Sequence, residues 1–317
     1  MPPTSVSIQT GSRLHFGPLS HRPRHGRHFG GIGMMVESPG YSLTIRQSEN
    51  HNNPESELVA NLLERIRKNR PEWELPVNVE IHESIPSHEG FGSGTQFGMA
   101  VTEGIGLLHG ETDLAAKRLA SYSRRGQRSS VGLFGYLEGG FLVDAGHQAG
   151  ESIGQIACRF DFPEDWNIIL LTPAQSPGLH GADETSIFAS LAPMRESLTG
   201  RLSHLTLTEI LPSLKHGDFK AFAPAISTYG KLVGEFFASS QGGVFAHPEM
   251  AAFVDRFYDK GIRALAQSSW GPTIALFAPN EEETQRICDT VNEDEFGKTC
   301  SLKVSKALNS GRKVHVE

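Results

Sequence analysis

The chain has 317 residues, 38% hydrophobic and 21% charged, the proportions of a globular protein long enough for two domains. Its formal charge of −7 offers no global basic field to a nucleic acid, and no apolar run approaches the roughly 20 residues of a membrane span. Three scattered cysteines (Cys158, Cys288 and Cys300), with no CxxC spacing and no signal-peptide pattern at the start, speak against a disulfide framework or zinc knuckle and for the cytoplasm.

Residues 6–13 open with the alternation of an edge strand and break into a loop rich in Gly, Arg and His. There Arg13, Arg22, Arg24 and Arg27 stand among His15, His21, His25 and His28, a local cluster suited either to a small anion or to a solvated surface loop. Residues 32–36 and 41–46 read as two strands around the turn Ser38-Pro39-Gly40. Residues 55–68 put Leu58, Leu62, Leu63 and Ile66 on one helical face, and residues 75–81 alternate as a strand.

A glycine-rich turn follows, Gly90-Phe91-Gly92-Ser93-Gly94-Thr95, and then a helix through Phe97, Val101, Ile105 and Leu108 that Gly110 ends. Asp113 is placed to cap a helix over 114–124, and 139–144 reads as a strand closing the first half. In the second half 168–172 is an apolar strand, with helices at 206–214, 220–237 and 248–260. Residues 265–267 and 273–277 are strands, 281–291 a helix and 300–306 a last strand, an order resembling part of a split-βαβ sheet. The expected fold is α+β, with an N-terminal domain over 1–155 and a C-terminal domain over 156–317.

The strongest chemical signal is the turn at 90–95. Glycines let backbone N–H groups approach a phosphate, and the following helix turns its positive end to the same place. Ser93 and Thr95 add hydroxyls, with Gly94 and Gln96 beside them. The spacing is neither a Walker A loop nor a dinucleotide fingerprint, and a plain structural turn is the alternative.

From Pro86 to Thr95 the segment resembles the phosphate-binding motif of the GHMP kinases, and Arg128–Gly140 and Ser268–Thr273 are similar to that superfamily's central and C-terminal segments. The resemblance implies two domains, the first ribosomal-protein-like and the second ferredoxin-like, with the active site in the cleft between them. One position departs. Where many of these kinases place an acidic catalytic residue, this chain has Gly132, which can neither accept a proton nor hold a metal.

Finer blocks resemble the β-ribofuranosylaminobenzene 5′-phosphate synthases: Arg13-Leu14-His15-Phe16-Gly17, Arg27-His28-Phe29-Gly30-Gly31-Ile32-Gly33, Gly92-Ser93-Gly94-Thr95-Gln96, Gly126-Gln127-Arg128-Ser129, Gln241-Gly242-Gly243 and Gln267-Ser268-Ser269-Trp270-Gly271-Pro272-Thr273. That resemblance implies condensation of phosphoribosyl pyrophosphate with 4-aminobenzoate or 4-hydroxybenzoate. CO2 and pyrophosphate leave, on a route to methanopterin-type carriers. It implies Mg2+ with the pyrophosphate, no organic cofactor, small-molecule partners alone, and a homodimer.

Such a reaction needs two anion sockets, one at Gly90, Gly92, Ser93, Gly94 and Thr95, the other from Arg13, Arg27 and Arg128, whose guanidinium groups hold phosphate or carboxylate in a fork. These arginines are the catalytic candidates. His15, Gln96, Ser129, Gln241, Ser268, Ser269, Trp270 and Thr273 are the substrate-binding ones, Trp270 as a stacking wall or else core filler, and His15 as a contact or else a packed-turn residue. Glu184 is a candidate metal or ribose ligand, or part of a helix start. The competing readings are an ATP-dependent small-molecule kinase of the same superfold and a non-catalytic sensor of phosphate ligands.

Overall fold

In the computed structural model the described residues are 3–48, 57–73, 76–112, 114–123, 126, 128–174 and 187–317. The chain begins with β1 (Ser5–His15), whose Val6, Ile8 and Leu14 are fully buried, and β2 (Gly31–Gln47) pairs with it antiparallel. Where two strands were expected around Ser38-Pro39-Gly40, β2 is one strand of 17 residues. The irregularity is taken up by a register shift between Thr10 and Ser12, which lets β1 follow β2 on both sides of the turn residues.

This length gives β2 room for two neighbours on one edge. Strand β3 (Val77–Glu83) pairs with its C-terminal half, and β4 (Phe141–Asp144) pairs with Gly31 to Met34 at its start. Helices α1 (Glu57–Asn69), α2 (Ser93–Leu108), α3 (Ala116–Ser123) and α4 (Val131–Glu138) accompany this sheet. On α1 the buried face is Val59, Leu62, Leu63 and Ile66; Leu58, expected inward, is instead 42% exposed. Helix α2 is buried almost all round, as an apolar helix between layers must be. Asp113 and Arg124, expected at the ends of α3, lie outside the described residues, as do the first residues of the helix expected from 55 and the start of the strand expected from 75.

The second sheet is antiparallel throughout, in the order β7-β8-β6-β9, from β6 (Asn167–Pro173), β7 (Leu265–Gln267), β8 (Ile274–Ala278) and β9 (Cys300–Ser305). Every residue of β6 is buried. Ile168 and Leu170 enter the main core, whereas Ile169 and Leu171 enter a second cluster with Phe253, Phe257 and Ile287. A strand covered on both faces has no polar side to show, so its sequence is a continuous apolar run rather than an alternation.

The helix expected over 206–214 belongs to a longer helical run: α5 (Glu196–His204), a π-helical stretch (Leu205–Ile210) and α6 (Leu211–His216). Then come α7 (Phe219–Gln241), started by Asp218, whose carboxylate accepts from Ala221 N at 3.0 Å, and α8 (Met250–Asp259); α9 (Glu281–Glu293) follows β8.

Sheet membership crosses the division expected at residue 155. Strand β5 (Ile156–Phe160) pairs with β4, and a further strand, β10 (Lys313–Val316), returns to pair with β1 in the first sheet. Just before β10, Arg312 is bound by the buried Glu103 of α2, whose carboxylate also accepts the Tyr136 hydroxyl of α4. The C-terminal segment is thereby tied to the first sheet and its helices.

Candidate active site

Three segments distant in sequence meet at the end of β1. The Arg13 N–H donates to the Phe91 carbonyl at 2.9 Å, which lays the glycine turn beside the strand. Ser269 N donates to the His15 carbonyl at 2.7 Å, and His15 N donates to the Ser268 hydroxyl oxygen at 3.1 Å. The Ser268 hydroxyl donates onward to the Gly90 carbonyl at 2.7 Å. A β-carbon at Gly90, whose φ is 90°, would stand 2.6 Å from the Ser268 carbonyl oxygen, so only glycine lets the two turns touch.

These contacts border a cavity of about 400 Å3 with two unlike ends. At one end Gly90, Gly92, Ser93, Gly94 and Thr95 line it, and α2 begins behind a left-handed Gly92 with no side-chain cap. The leading N–H groups of such a helix are a ready anion socket. Arg13 reaches over this end and donates from Nη1 to the Ser269 hydroxyl oxygen at 2.6 Å.

The other end is aromatic. Trp270 is 5% exposed, with its ring centroid 4.5 Å from Phe237 and 5.4 Å from Phe188; Phe29 stands 5.6 Å from Phe188. The Arg128 guanidinium lies 5.2 Å from the Phe188 ring centroid, a cation–π distance, and with Ser129 it lines the cavity. Among the described residues the lining holds two arginines and two histidines but no carboxylate.

His15 and Gly132 define the electrostatics. Burial, and then the neighbouring charge of Arg13, press the His15 imidazole down to a pKa of about 3, so it is neutral near pH 7. A β-carbon on Gly132 would face Thr95 Cγ2 at 3.3 Å and Arg13 Cγ at 3.7 Å. The position that is acidic in many GHMP kinases therefore looks at the glycine turn and Arg13, and here it brings no charge.

The cavity thus gathers Arg13, Arg128, His15, Ser129, Ser269, Trp270 and the glycine-turn residues expected from sequence. Other candidates stand elsewhere. Arg27 does not line the cavity; its Nε donates to the Gly146 carbonyl at 2.9 Å and its Nη2 pairs with Glu151. Gln96 is fully buried below the turn, accepting from the Thr10 hydroxyl and donating to the Gly132 carbonyl, each at 2.9 Å. Gln241 binds the Gly243 and Val244 carbonyls at 3.0 and 2.8 Å, and the Thr273 hydroxyl meets that of Thr172 at 2.7 Å. These groups, with Ser268, brace the walls. Glu184 lies outside the described residues.

Sequence reasoning passed over Phe29, Tyr41, Leu58, Ser87, His88, Phe188 and Phe237, which also line the cavity. Leu58 carried a signal that pointed the wrong way, since its helical spacing suggested core. Phe29 carried a weak one, a large residue directly before two glycines, and in the structure it takes a left-handed φ of 64°.

The GHMP kinases N terminal domain family matches residues 57–136. The beta-ribofuranosylphenol 5'-phosphate synthase of Methanothermobacter thermautotrophicus is 26% identical over 309 residues, covering 90% of this chain and 92% of that protein. Proteins of the same name from Methanocaldococcus jannaschii and Archaeoglobus fulgidus are 25% and 26% identical over 97% and 98% of this chain and 99% and 100% of their own length. Among solved structures, a putative sugar kinase from Campylobacter jejuni superposes with a TM-score of 0.68 at 10% identity over 99% of both chains. Homoserine kinase from Cytophaga hutchinsonii gives 0.63 at 14% identity over 98% of this chain and 97% of that one. The chain has the GHMP-kinase-like fold, and in sequence it is similar along nearly its whole length to the beta-ribofuranosylphenol 5'-phosphate synthases.

Proposed function

We propose that the chain is a decarboxylating phosphoribosyltransferase, joining phosphoribosyl pyrophosphate to a benzoate that bears a para hydroxyl. The observation that carries this reading is the two-ended cavity, an anion socket at one end and an aromatic box at the other, with no carboxylate among its described lining residues. The relatives are named for a phenol product, which favours 4-hydroxybenzoate over 4-aminobenzoate as acceptor.

In this reading the 5′-phosphate or the pyrophosphate occupies the start of α2, and Arg13 and Arg128 serve the remaining anionic groups. Breaking the bond from the anomeric carbon to pyrophosphate leaves an oxocarbenium-like centre; donors fixed in place before the reaction stabilise the departing charge. The ring carbon bearing the carboxylate attacks that centre, with the ring held among Phe29, Phe188, Phe237 and Trp270. The carbon–carboxylate bond then breaks, its electron pair restores the ring, and CO2 leaves. No proton is gained or lost in this balance, so no general base is required in the lining.

Among the described residues no group of three His, Cys, Asp or Glu side chains is placed to hold a metal. We take Mg2+ to arrive as the counter-ion of the pyrophosphate. A cytoplasmic homodimer acting early in the assembly of a methanopterin-class carrier completes the proposal; no helix among the described residues is long and apolar enough to cross a membrane.

The test is release of labelled CO2 from carboxyl-labelled 4-hydroxybenzoate, with and without phosphoribosyl pyrophosphate and Mg2+. Release that depends on phosphoribosyl pyrophosphate supports the reading. Its absence, together with ATP consumption, would replace it with the kinase reading, against which Gly132 now stands.

A further inference from the structure

Resting on the phosphoribosyltransferase reading, we propose that His15 is a substrate-binding residue whose imidazole hydrogen-bonds a hydroxyl of a bound substrate. That hydroxyl belongs to the ribose of phosphoribosyl pyrophosphate or to the ring of the aromatic acid.

His15 ends β1 in the wall of the cavity, with 9% of its surface exposed. Its backbone is engaged on both sides, by the Ser268 hydroxyl and the Ser269 N–H, so the joint with the 268–271 turn does not need the ring. Ring atom Nε2 is buried and has no hydrogen-bond partner. A histidine kept for packing ordinarily spends a buried nitrogen on a carbonyl or a hydroxyl, because an unmatched buried polar atom costs stability.

The seat of the ring is built for it. A β-carbon at Gly31 would lie 2.7 Å from His15 Nε2 and 2.5 Å from the Gly17 carbonyl oxygen, so any larger residue there would push the ring aside. Glycine at 31 leaves the ring its place beside β2.

The neighbourhood selects the kind of group. Burial opposes a positive charge on the imidazole, and the nearby Arg13 opposes it further. Anionic groups have better sockets in Arg13, Arg128 and the start of α2. A neutral imidazole presents one N–H and one lone pair, the complement of a hydroxyl, which both accepts and donates.

The experiment compares wild type with His15→Phe, His15→Gln and His15→Asn. It measures the Kd for phosphoribosyl pyrophosphate and the KM for 4-hydroxybenzoate. If the ribose is the source, His15→Phe weakens phosphoribosyl pyrophosphate binding about tenfold and leaves the acceptor KM in place; if the ring hydroxyl is the source, the two effects exchange. His15→Gln, whose amide reaches about as far as Nε2, restores part of the loss, and the shorter His15→Asn does not. Should His15→Phe fail to fold, the Gln and Asn pair decides alone, and equal constants for those two overturn the assignment. Constants within about twofold of wild type in a folded His15→Phe also overturn it. A wild type that releases no CO2 removes the underlying reading and this assignment together, whereas an active wild type beside unaffected variants removes His15 alone.

Discussion

The Ser268 hydroxyl donates to the Gly90 carbonyl at 2.7 Å, across 178 residues of sequence, and accepts from the N–H of His15. One buried side chain therefore holds the glycine turn, the end of β1 and the turn between β7 and β8 in a single arrangement. Ser268→Ala would strand a carbonyl and an N–H together. Stability should fall by roughly 1–3 kcal/mol, read as a lower urea midpoint, with weaker binding of phosphoribosyl pyrophosphate. An unchanged midpoint would mean the three segments are held without it.

Arg13 and Arg27 were equal candidates in sequence and stand in different surroundings. Arg13→Ala should weaken phosphoribosyl pyrophosphate binding by about 1.5–3 kcal/mol, the loss of a charge-assisted hydrogen bond. Arg27→Ala should change it by less than about twofold, because Arg27 serves Gly146 and Glu151. Titration calorimetry on both variants checks the contrast, and equal losses would return Arg27 to the ligand.

At Gly132 the neighbours of an added β-carbon are Thr95 and Arg13. Gly132→Asp should therefore set a carboxylate against the anion end and weaken phosphoribosyl pyrophosphate binding by about tenfold, with no gain of ATP turnover. A coupled ATP-consumption assay beside the binding measurement tests both halves. The appearance of ATP turnover would show that only the acid was missing from a kinase.

Glu103 is 2% exposed and holds both Arg312, through Nε at 3.0 Å, and Tyr136. Glu103→Ala leaves these groups without their buried anion and should cost about 3 kcal/mol, with β10 loosened from β1. Urea unfolding gives the energy, and amide exchange across 313–316 gives the place. Slow exchange there in the variant would assign the hold on β10 to its strand pairing alone.

The depressed pKa of His15 has a stability consequence with a definite sign. Between the ordinary value of 6.5 and the folded value of about 3, the unfolded chain binds the proton and the folded one does not. Stability from this group is full above pH 6.5 and is lost as the pH falls through that window. The gap in melting temperature between wild type and His15→Phe should therefore shift against the wild type from pH 7 to pH 4. A gap independent of pH would show that the imidazole titrates normally.

The glycine turn, the helix behind it and the apolar strand β6 were legible in the sequence because each is a local pattern: glycine spacing, helical period, a continuous apolar run. Arg13 and Arg27 stood out because arginines in glycine-rich loops have no ready explanation in a helix surface, and of the two only Arg13 lines the cavity. The aromatic end was not legible. Phe29, Phe188 and Phe237 come from three separate segments, and no periodicity marks their meeting. Helix α4 was hidden by its own composition, since its two glycines and all-round burial leave no apolar stripe. The return of 313–316 to β1, which carries the chain's end past the expected domain boundary, depends on an edge that exists only once the sheet has formed. By itself the sequence determined the glycine turn, the helix start behind it and the residue types around them, because a backbone conformation is a property of a few consecutive residues. Only the tertiary structure decided which arginines face the cavity, which glutamine is a strut and what closes the far end, because those are contacts between segments that meet when the core is packed.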